Sequence, residues 1–468
     1  MVMIFFELLC GYGSNDLIGL SILEEEKYDL FLLDHSESNV SKNELIEKLK
    51  VIAKGPSCTY DLKLVSYFLK RNFDLELENC FDIISAQTIF GKIQDNPIEE
   101  STRINVILNA SLYGGNDMSI VPVSILRKEY KKRLIQIKER ISDVLDGVKE
   151  KSLMAQYKNH FLKISNALGQ LEASGFRVDL NERNKLLNSP AYKDHHYKLR
   201  ELHEITYPVY SIGTSTTGRL GPGSKYGVKF NSLAIPKGRI RQCIIPKNDL
   251  LVELDYSSFE IYVMLYLFAP PQIKELFTNK DDVYNIICEK TGIEDRDAVK
   301  KIVFQKIYGI GRQVSDFKIK KIFSSMGISE RNIYIFKQYF DWVDDVKDDI
   351  YKLVIADRNT IADIFGRHIT FEDVSTDRKN LFFNNIIQMT AVDIALKALV
   401  EIQNCLKDLR SDMILYCHDS YVIDVDKNEI EIIKKISHIM KNSIGDYNLP
   451  VKIYAGKNYN DMRYLKNV

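Results

Sequence analysis

Apolar and polar positions divide the chain into segments of different period. Over residues 1–34 the pattern predicts two short strands around a Gly-Tyr-Gly-Ser-Asn turn, and a third strand in the run YDLFLLD. Helical spacing follows at Glu44–Ala53 and Leu62–Arg71, so this stretch reads as a mixed α/β unit ending near residue 122. From Ile125 to about Leu171 the pattern is long, basic and helical, with few breakers. A loop rich in Gly, Ser and Thr occupies Gly213–Gly227. LLVELDYSSFEIYVMLYLF then predicts a buried strand running into an apolar helix, and Asp282–Lys347 is helical in two or three pieces. Near the end, DMILYCHDSYVIDV alternates around a tight His-Asp-Ser centre, as a β-hairpin does.

Composition narrows the class. With 468 residues, 45% hydrophobic and 27% charged, the chain can bury the cores of about two to four packed units and is not a disordered protein. Its longest apolar stretch, Ile261–Pro270, is far shorter than the roughly 20 residues that span a bilayer. The N-terminal MVMIFFELLC has no basic flank and soon meets Glu7, unlike a signal peptide. Seven scattered cysteines without a CxxC pair point to a reducing, cytoplasmic setting and no structural zinc. The zero net charge conceals an asymmetry. Residues 1–120 hold 10 Lys+Arg and 19 Asp+Glu, a net of −9, which leaves +9 on the remainder. The later part is therefore the one suited to a polyanion.

Two carboxylates stand at apolar strand ends, Asp255 in LVELDYSSFE and Asp419 in LYCHDSYVID. Such placement is costly without compensation, and a shared pair of divalent cations would supply it. Between them lies Arg296-x3-Lys300-x3-Phe304-x3-Tyr308-Gly309. Steps of four residues keep all four side chains on one helix face. Two cations followed by two aromatics on one face suit a triphosphate at one end and a base at the other.

These three motifs, in this order, resemble family A DNA polymerases, the class of bacterial DNA polymerase I and many phage replicases, over nearly the whole chain. The resemblance implies Asp255, the Tyr256 carbonyl and Asp419 as ligands of two Mg2+ ions, with Mn2+ as a substitute. It implies Glu260 as the residue that packs on the sugar and excludes a 2′-hydroxyl. Arg296, Lys300, Phe304 and Tyr308 match the nucleotide-binding helix, Lys300 also serving as proton donor to pyrophosphate. Tyr284 stands where a His often touches the incoming phosphates. Thr217-Gly218-Arg219-Leu220 resembles the element whose Arg reaches the primer-template; Asn231, Asn384, Gln388 and His418 are the other implied DNA contacts. LEASGFRVD and Phe365-Gly366-Arg367 have counterparts too. Departures are Ser420 where the family usually has Glu, Gln305 for Gly, Leu233-Ala234 for Gln-Asn, and Asn380 for Arg.

The implied architecture is a right hand: an antiparallel palm sheet at about 201–264 and 346–468, helical fingers at 265–345 and a helical thumb at 125–200. Ahead of this polymerase domain (123–468), residues 1–122 resemble a shortened, RNase H-like 3′–5′ exonuclease domain. Asp61 fits its second motif, and Tyr113 with Asp117 its third. The first motif, Asp-x-Glu, is incomplete: Glu7 aligns either as its Glu, with Phe5 at the Asp position, or as its Asp, with Leu9 at the Glu position. A weak or inactive exonuclease is expected. The implied partners are primer-template DNA and dNTPs, acting on a monomer with no membrane association and no 5′-nuclease domain ahead of residue 1. A single-subunit RNA polymerase, whose last motif often reads His-Asp-Ser, and a catalytically silent primer-template binder are the alternatives. Glu260 argues against the first, and the full set of polymerase residues against the second.

Overall fold

The computed structural model describes residues 3–10, 17–77, 79–90, 120–222, 235, 238–278, 282–309, 320, 321, 324, 325, 327–445 and 447–465. Its N-terminal sheet forms from β1 (Ile4–Cys10), β2 (Leu17–Glu24), β3 (Lys27–Leu32), β4 (Ser57–Thr59) and β5 (Cys80–Asp82), in the order β3-β2-β1-β4-β5. The β1, β2 and β3 pairings are antiparallel, while β4 and β5 run parallel to β1, so the sheet is mixed. Helix α1 (Lys42–Lys54) starts where the Ser41 side chain accepts from the Glu44 amide. Asp61 caps α2 (Leu62–Phe73) in the same way, and Asp82 caps the short α3 (Ile83–Thr88).

The basic helical stretch is not continuous. Helix α4 (Val123–Glu150) ends at a kink where Ser152 takes a φ of 55°. A short turn of π-helix at Tyr157–Phe161 then leads into α5 (Leu162–Ser174). The boundary expected at residue 122 also separates α4 from the sheet it covers. Leu134, Ile137, Ile141, Leu145 and Val148 form one apolar stripe, buried in a single cluster with Phe5, Leu23, Cys58, Tyr60 and Ile83. By packing, α4 lies against the N-terminal sheet. Burial of this stripe decided that placement, and charge along the chain gave no hint of it.

The C-terminal sheet is antiparallel throughout, with β6 (Leu250–Tyr256), β7 (Asp412–Cys417), β8 (Ser420–Val425), β9 (Val451–Gly456) and β10 (Arg463–Tyr464) in the order β7-β8-β6-β9-β10. Central β6 leads through Ser257 and Ser258 into α6 (Phe259–Phe268). Five helices then follow among the described residues: a short one at Pro271–Phe277, then α7 (Val283–Thr291), α8 (Arg296–Tyr308), α9 (Glu330–Phe340) and α10 (Trp342–Ala356). A boundary between 345 and 346 would fall inside α10. The 28-residue α11 (Lys379–Leu406) and α12 (Ile432–Lys441) complete a helical layer whose apolar residues merge with those of the sheet in one core.

Two buried charged links join the N-terminal and C-terminal parts. Arg367 grips Asp393 of α11 through Nε at 2.6 Å and Nη2 at 2.7 Å, and its Nη1 donates to the Thr88 carbonyl of α3 at 2.9 Å. His160 approaches the same carboxylate at 3.2 Å. Burial alone would raise the Asp393 pKa, but Arg367 and His160 hold it well below the carboxylate range. The second link pairs Lys63 of α2 with Glu172 of α5 at 2.7 Å, where Gly169 lets the two helices touch. A Cβ at Gly169 would run into the Lys63 carbonyl and lie 2.6 Å from Ser66 Cβ. Gly169→Ala is therefore expected to destabilise the chain by about 1–3 kcal/mol, despite the better helix propensity of Ala, and thermal melting checks it. An unchanged melting temperature would show that the α2–α5 contact yields freely.

Candidate active site

The site begins with strand register. Asp255 lies directly opposite Ser420 in the β6–β8 pairing, and the Tyr256 amide donates to the Asp419 carbonyl at 3.1 Å. Cys417 pairs with Ser420, so His418 and Asp419 are the whole turn of the β7–β8 hairpin. His418 takes a φ of 60° there, and Ser258, at the start of α6, takes 54°. Non-glycine residues held in this left-handed region cost of order 1 kcal/mol or more each, and persist where surrounding structure over-determines them. Both turns bring polar side chains to one end of the sheet.

That end is the floor of a cavity of about 510 Å3. Asp255, Tyr256, Glu260, Tyr284, Arg296, Lys300, Phe304, Gln388, His418, Asp419 and Arg219 all line it. Of the residues expected from the polymerase motifs, Tyr308 and Asn384 are not in the lining. Tyr308 acts at one remove: its hydroxyl donates to Glu260, whose other oxygen accepts from Arg219. Burial first, and then the Glu260 charge, push the Tyr308 hydroxyl pKa far up, so it remains a donor. Asn384 lies one turn of α11 before Gln388, and its Oδ1 is buried with no hydrogen-bond partner among the described residues. Asn231, Leu233 and Ala234 lie outside the described residues, as do Tyr113 and Asp117.

Helix α8 presents its expected face. Arg296, Lys300 and Phe304 follow one another along the cavity wall, and the Phe304 ring stacks on Tyr308 at 5.4 Å. Phe304 is 39% exposed, high for a large aromatic ring. Asp295 caps the helix through the amides of Asp297 and Ala298. The opposite face carries Lys306, buried and paired with Asp344 of α10 at 2.7 Å, which fixes the helix rotation. Arg296 is itself gripped: Asp282, the cap of α7, takes its Nε at 3.1 Å and Nη2 at 2.8 Å. Its guanidinium lies 5.0 Å from the centre of the Tyr284 ring.

Burial raises the Asp419 pKa to about 6, with the Glu260 charge also raising it and Arg219 opposing. A cation beside this carboxylate would favour its charged form. Among the described residues, no three His, Cys, Asp or Glu side chains converge to hold a metal alone. Two carboxylates are still the usual protein share for Mg2+, which completes its octahedron with water and substrate phosphates. The hard oxygen set of Asp255, Asp419 and the Tyr256 carbonyl fits that ion.

The family model described as DNA polymerase family A matches residues 209–461, more than half of the chain and all of this site. The chain belongs to DNA polymerase family A. It is 25% identical over 301 residues to the DNA polymerase of Bacillus phage SP01, covering 55% of this chain and 32% of that protein. It is 24% identical over 538 residues to DNA polymerase I of Caldicellulosiruptor bescii, covering 94% of this chain and 62% of the relative. The chain thus spans between about a third and just under two thirds of these curated relatives. The fold is similar to that of the POL domain of Pol1 from M. smegmatis, solved in complex with DNA primer-template and dNTP. The TM-score is 0.74 at 15% identity, covering 98% of this chain and 96% of that one.

In this family A chain the exonuclease-like residues have different surroundings. Glu7 is buried in β1, accepting from the Tyr60 amide at 2.9 Å and the Thr59 hydroxyl at 3.4 Å, and Arg133 of α4 approaches it at 3.4 Å. Asp61 spends Oδ1 on the α2 cap. Asp82, which sequence reasoning missed, is wholly buried; burial, then the charge of Asp61, raises its pKa to about 7. Two further residues were missed near this end of the sheet: Lys452, opposite Asp255 on β9 and lining the cavity, and Glu253, two residues before Asp255 on β6. Alternation along β6 was the available signal for Glu253. Removing one partner of a buried ion pair leaves the other charge stranded, so Arg133→Met is expected to cost about 3 kcal/mol of stability in denaturant unfolding. A loss under about 0.5 kcal/mol would mean that Glu7 is held by its hydrogen bonds alone.

Proposed function

We propose that this chain is a template-directed DNA polymerase that extends a DNA primer with dNTPs in the cavity floored by Asp255 and Asp419. The observation that carries the reading is the Tyr256–Asp419 backbone hydrogen bond. It sets both carboxylates at one sheet end, facing a helix wall of Arg296, Lys300 and Phe304. Mg2+, when bound, lowers the pKa of the primer hydroxyl and neutralises charge on the phosphates.

The chain's own residues orient and hold. Asp255, Asp419 and the Tyr256 carbonyl hold the cations. Arg296, fixed by Asp282, and Lys300 bind the triphosphate and stabilise charge developing on pyrophosphate, Lys300 also giving it a proton. Tyr284 approaches the same phosphates, and the exposed Phe304 ring stacks on the nascent base pair. Glu260, clamped by Arg219 and Tyr308, packs beneath the sugar, where a 2′-hydroxyl would collide with a side chain that cannot turn away. Arg219, His418 and Asn231 contact the primer-template, and Asn384 and Gln388 reach its minor groove, where reading is largely independent of sequence. In this reading the sheet end is the palm, α7–α9 belong to the fingers, and the chain acts as a monomer.

The N-terminal unit is read as an exonuclease-type domain that no longer cuts efficiently. Its mixed sheet order supports the domain type, and the Glu7–Arg133 contact supports the loss, because a guanidinium lies against the carboxylate that a metal would need.

Asp255→Ala and Asp419→Ala should each lower primer extension by about 10³-fold while leaving the protein folded. Extension that persists in either variant would overturn the assignment. Glu260→Ala should raise ribonucleotide incorporation relative to deoxyribonucleotides by about tenfold or more in single-nucleotide insertion assays. Equal use of both by the unsubstituted protein would favour an RNA polymerase instead.

A further inference from the structure

One carboxylate on the catalytic face has no part in the scheme above. Glu253 precedes Asp255 by two residues on β6, so alternation points both side chains to the same side of the sheet. Across the strand pair, Asp255 stands opposite Ser420 and Glu253 opposite Val422, which makes Glu253 and Ser420 diagonal neighbours. The Ser420 hydroxyl has two acceptors within reach, the Cys417 carbonyl at 3.3 Å and Glu253 Oε1 at 3.4 Å, and the Tyr459 hydroxyl donates to the same Glu253 oxygen at 3.1 Å. Tyr459 is buried, with the Arg241 guanidinium 4.3 Å from its ring centre. Burial, followed by the nearby Cys417 and Glu253 groups, drives its hydroxyl pKa far up, so it stays a donor.

The residue after Asp419 is the neutral Ser420. With Glu253 in place, a carboxylate at 420 would put two like charges in diagonal contact. A serine instead donates a hydrogen bond. Glu253 with Ser420 therefore carries the same single negative charge as a neutral residue at 253 with Glu at 420, displaced by one strand.

We infer that Glu253 supplies from β6 a negative charge that the neutral Ser420 does not, and acts as a positioning residue for the divalent cation held by Asp255 and Asp419. This rests on the polymerase reading. Glu253 is not itself a ligand in this account; it strengthens the local field and, through Ser420, holds the strand that begins directly after Asp419.

Charge and scaffolding can be separated, because Glu253→Gln keeps an Oε1 acceptor for both hydroxyls and removes only the charge. In the full chain without DNA, Mn2+ binding followed by electron paramagnetic resonance should weaken about tenfold in E253Q, with the melting temperature unchanged. The Mg2+ concentration needed for half-maximal primer extension should rise by a similar factor. Glu253→Ser should lose at least as much, and adding Ser420→Glu to it should restore Mn2+ affinity to within about threefold of the unsubstituted protein. Unweakened Mn2+ binding in E253Q, or a double variant no tighter than E253S, overturns the inference. Failure of the unsubstituted protein to extend a primer overturns the polymerase reading instead, and the Mn2+ titration still judges Glu253 separately.

Discussion

The register between β6 and β8 is the constraint on which the site depends. Side chains alternate with a period of two, so a slip of one residue would send Asp255 into the apolar layer and bring Leu254 to the cavity. Two features prevent the slip. Val252, Leu254 and Tyr256 are buried in the core, and the hairpin between β7 and β8 closes in two residues, leaving no slack around Asp419. The geometry of the cavity floor is thus set by backbone hydrogen bonds and burial, before any side chain of the site makes a contact of its own.

Around that floor, the charged side chains restrain one another. Glu260 is shared by Arg219 and Tyr308, joining the loop before β6 to the end of α8. The loop is itself anchored: Gly218 takes a φ of 76° so that its backbone can press on the Arg367 guanidinium, which is locked to Asp393. Asp282 does double service, capping α7 and gripping Arg296. Each residue proposed to meet the nucleotide or DNA through these contacts already has its rotamer limited, and pre-organisation of this kind spares ordering entropy on binding.

The N-terminal unit is integrated with the rest and is not an appended module. Helix α4 covers its sheet, α2 packs on α5, and Arg367 reaches the carbonyl at the end of α3. Within this unit the buried carboxylates are engaged in holding the fold. Asp61 and Asp82 both cap helices, and Glu7 faces Arg133.

From residues alone, the groups that line the cavity were legible because they are carried in short local patterns. A carboxylate at a strand end, a four-residue repeat of cations and aromatics, and a hairpin with a two-residue turn each leave their mark within about a dozen positions. The strands of the first 34 residues and helices α1 and α2 were readable for the same reason. What stayed hidden were pairings between distant segments: Glu7 with Arg133, Glu260 with Tyr308, Glu253 with Ser420, and the attachment of α4 to the N-terminal sheet. No periodicity encodes a contact across 48 to 167 residues, since it depends on which buried faces meet when the chain collapses. Local sequence therefore determined which groups the chain could bring to its chemistry, and tertiary packing decided which of them share a cavity and which are consumed in holding the fold.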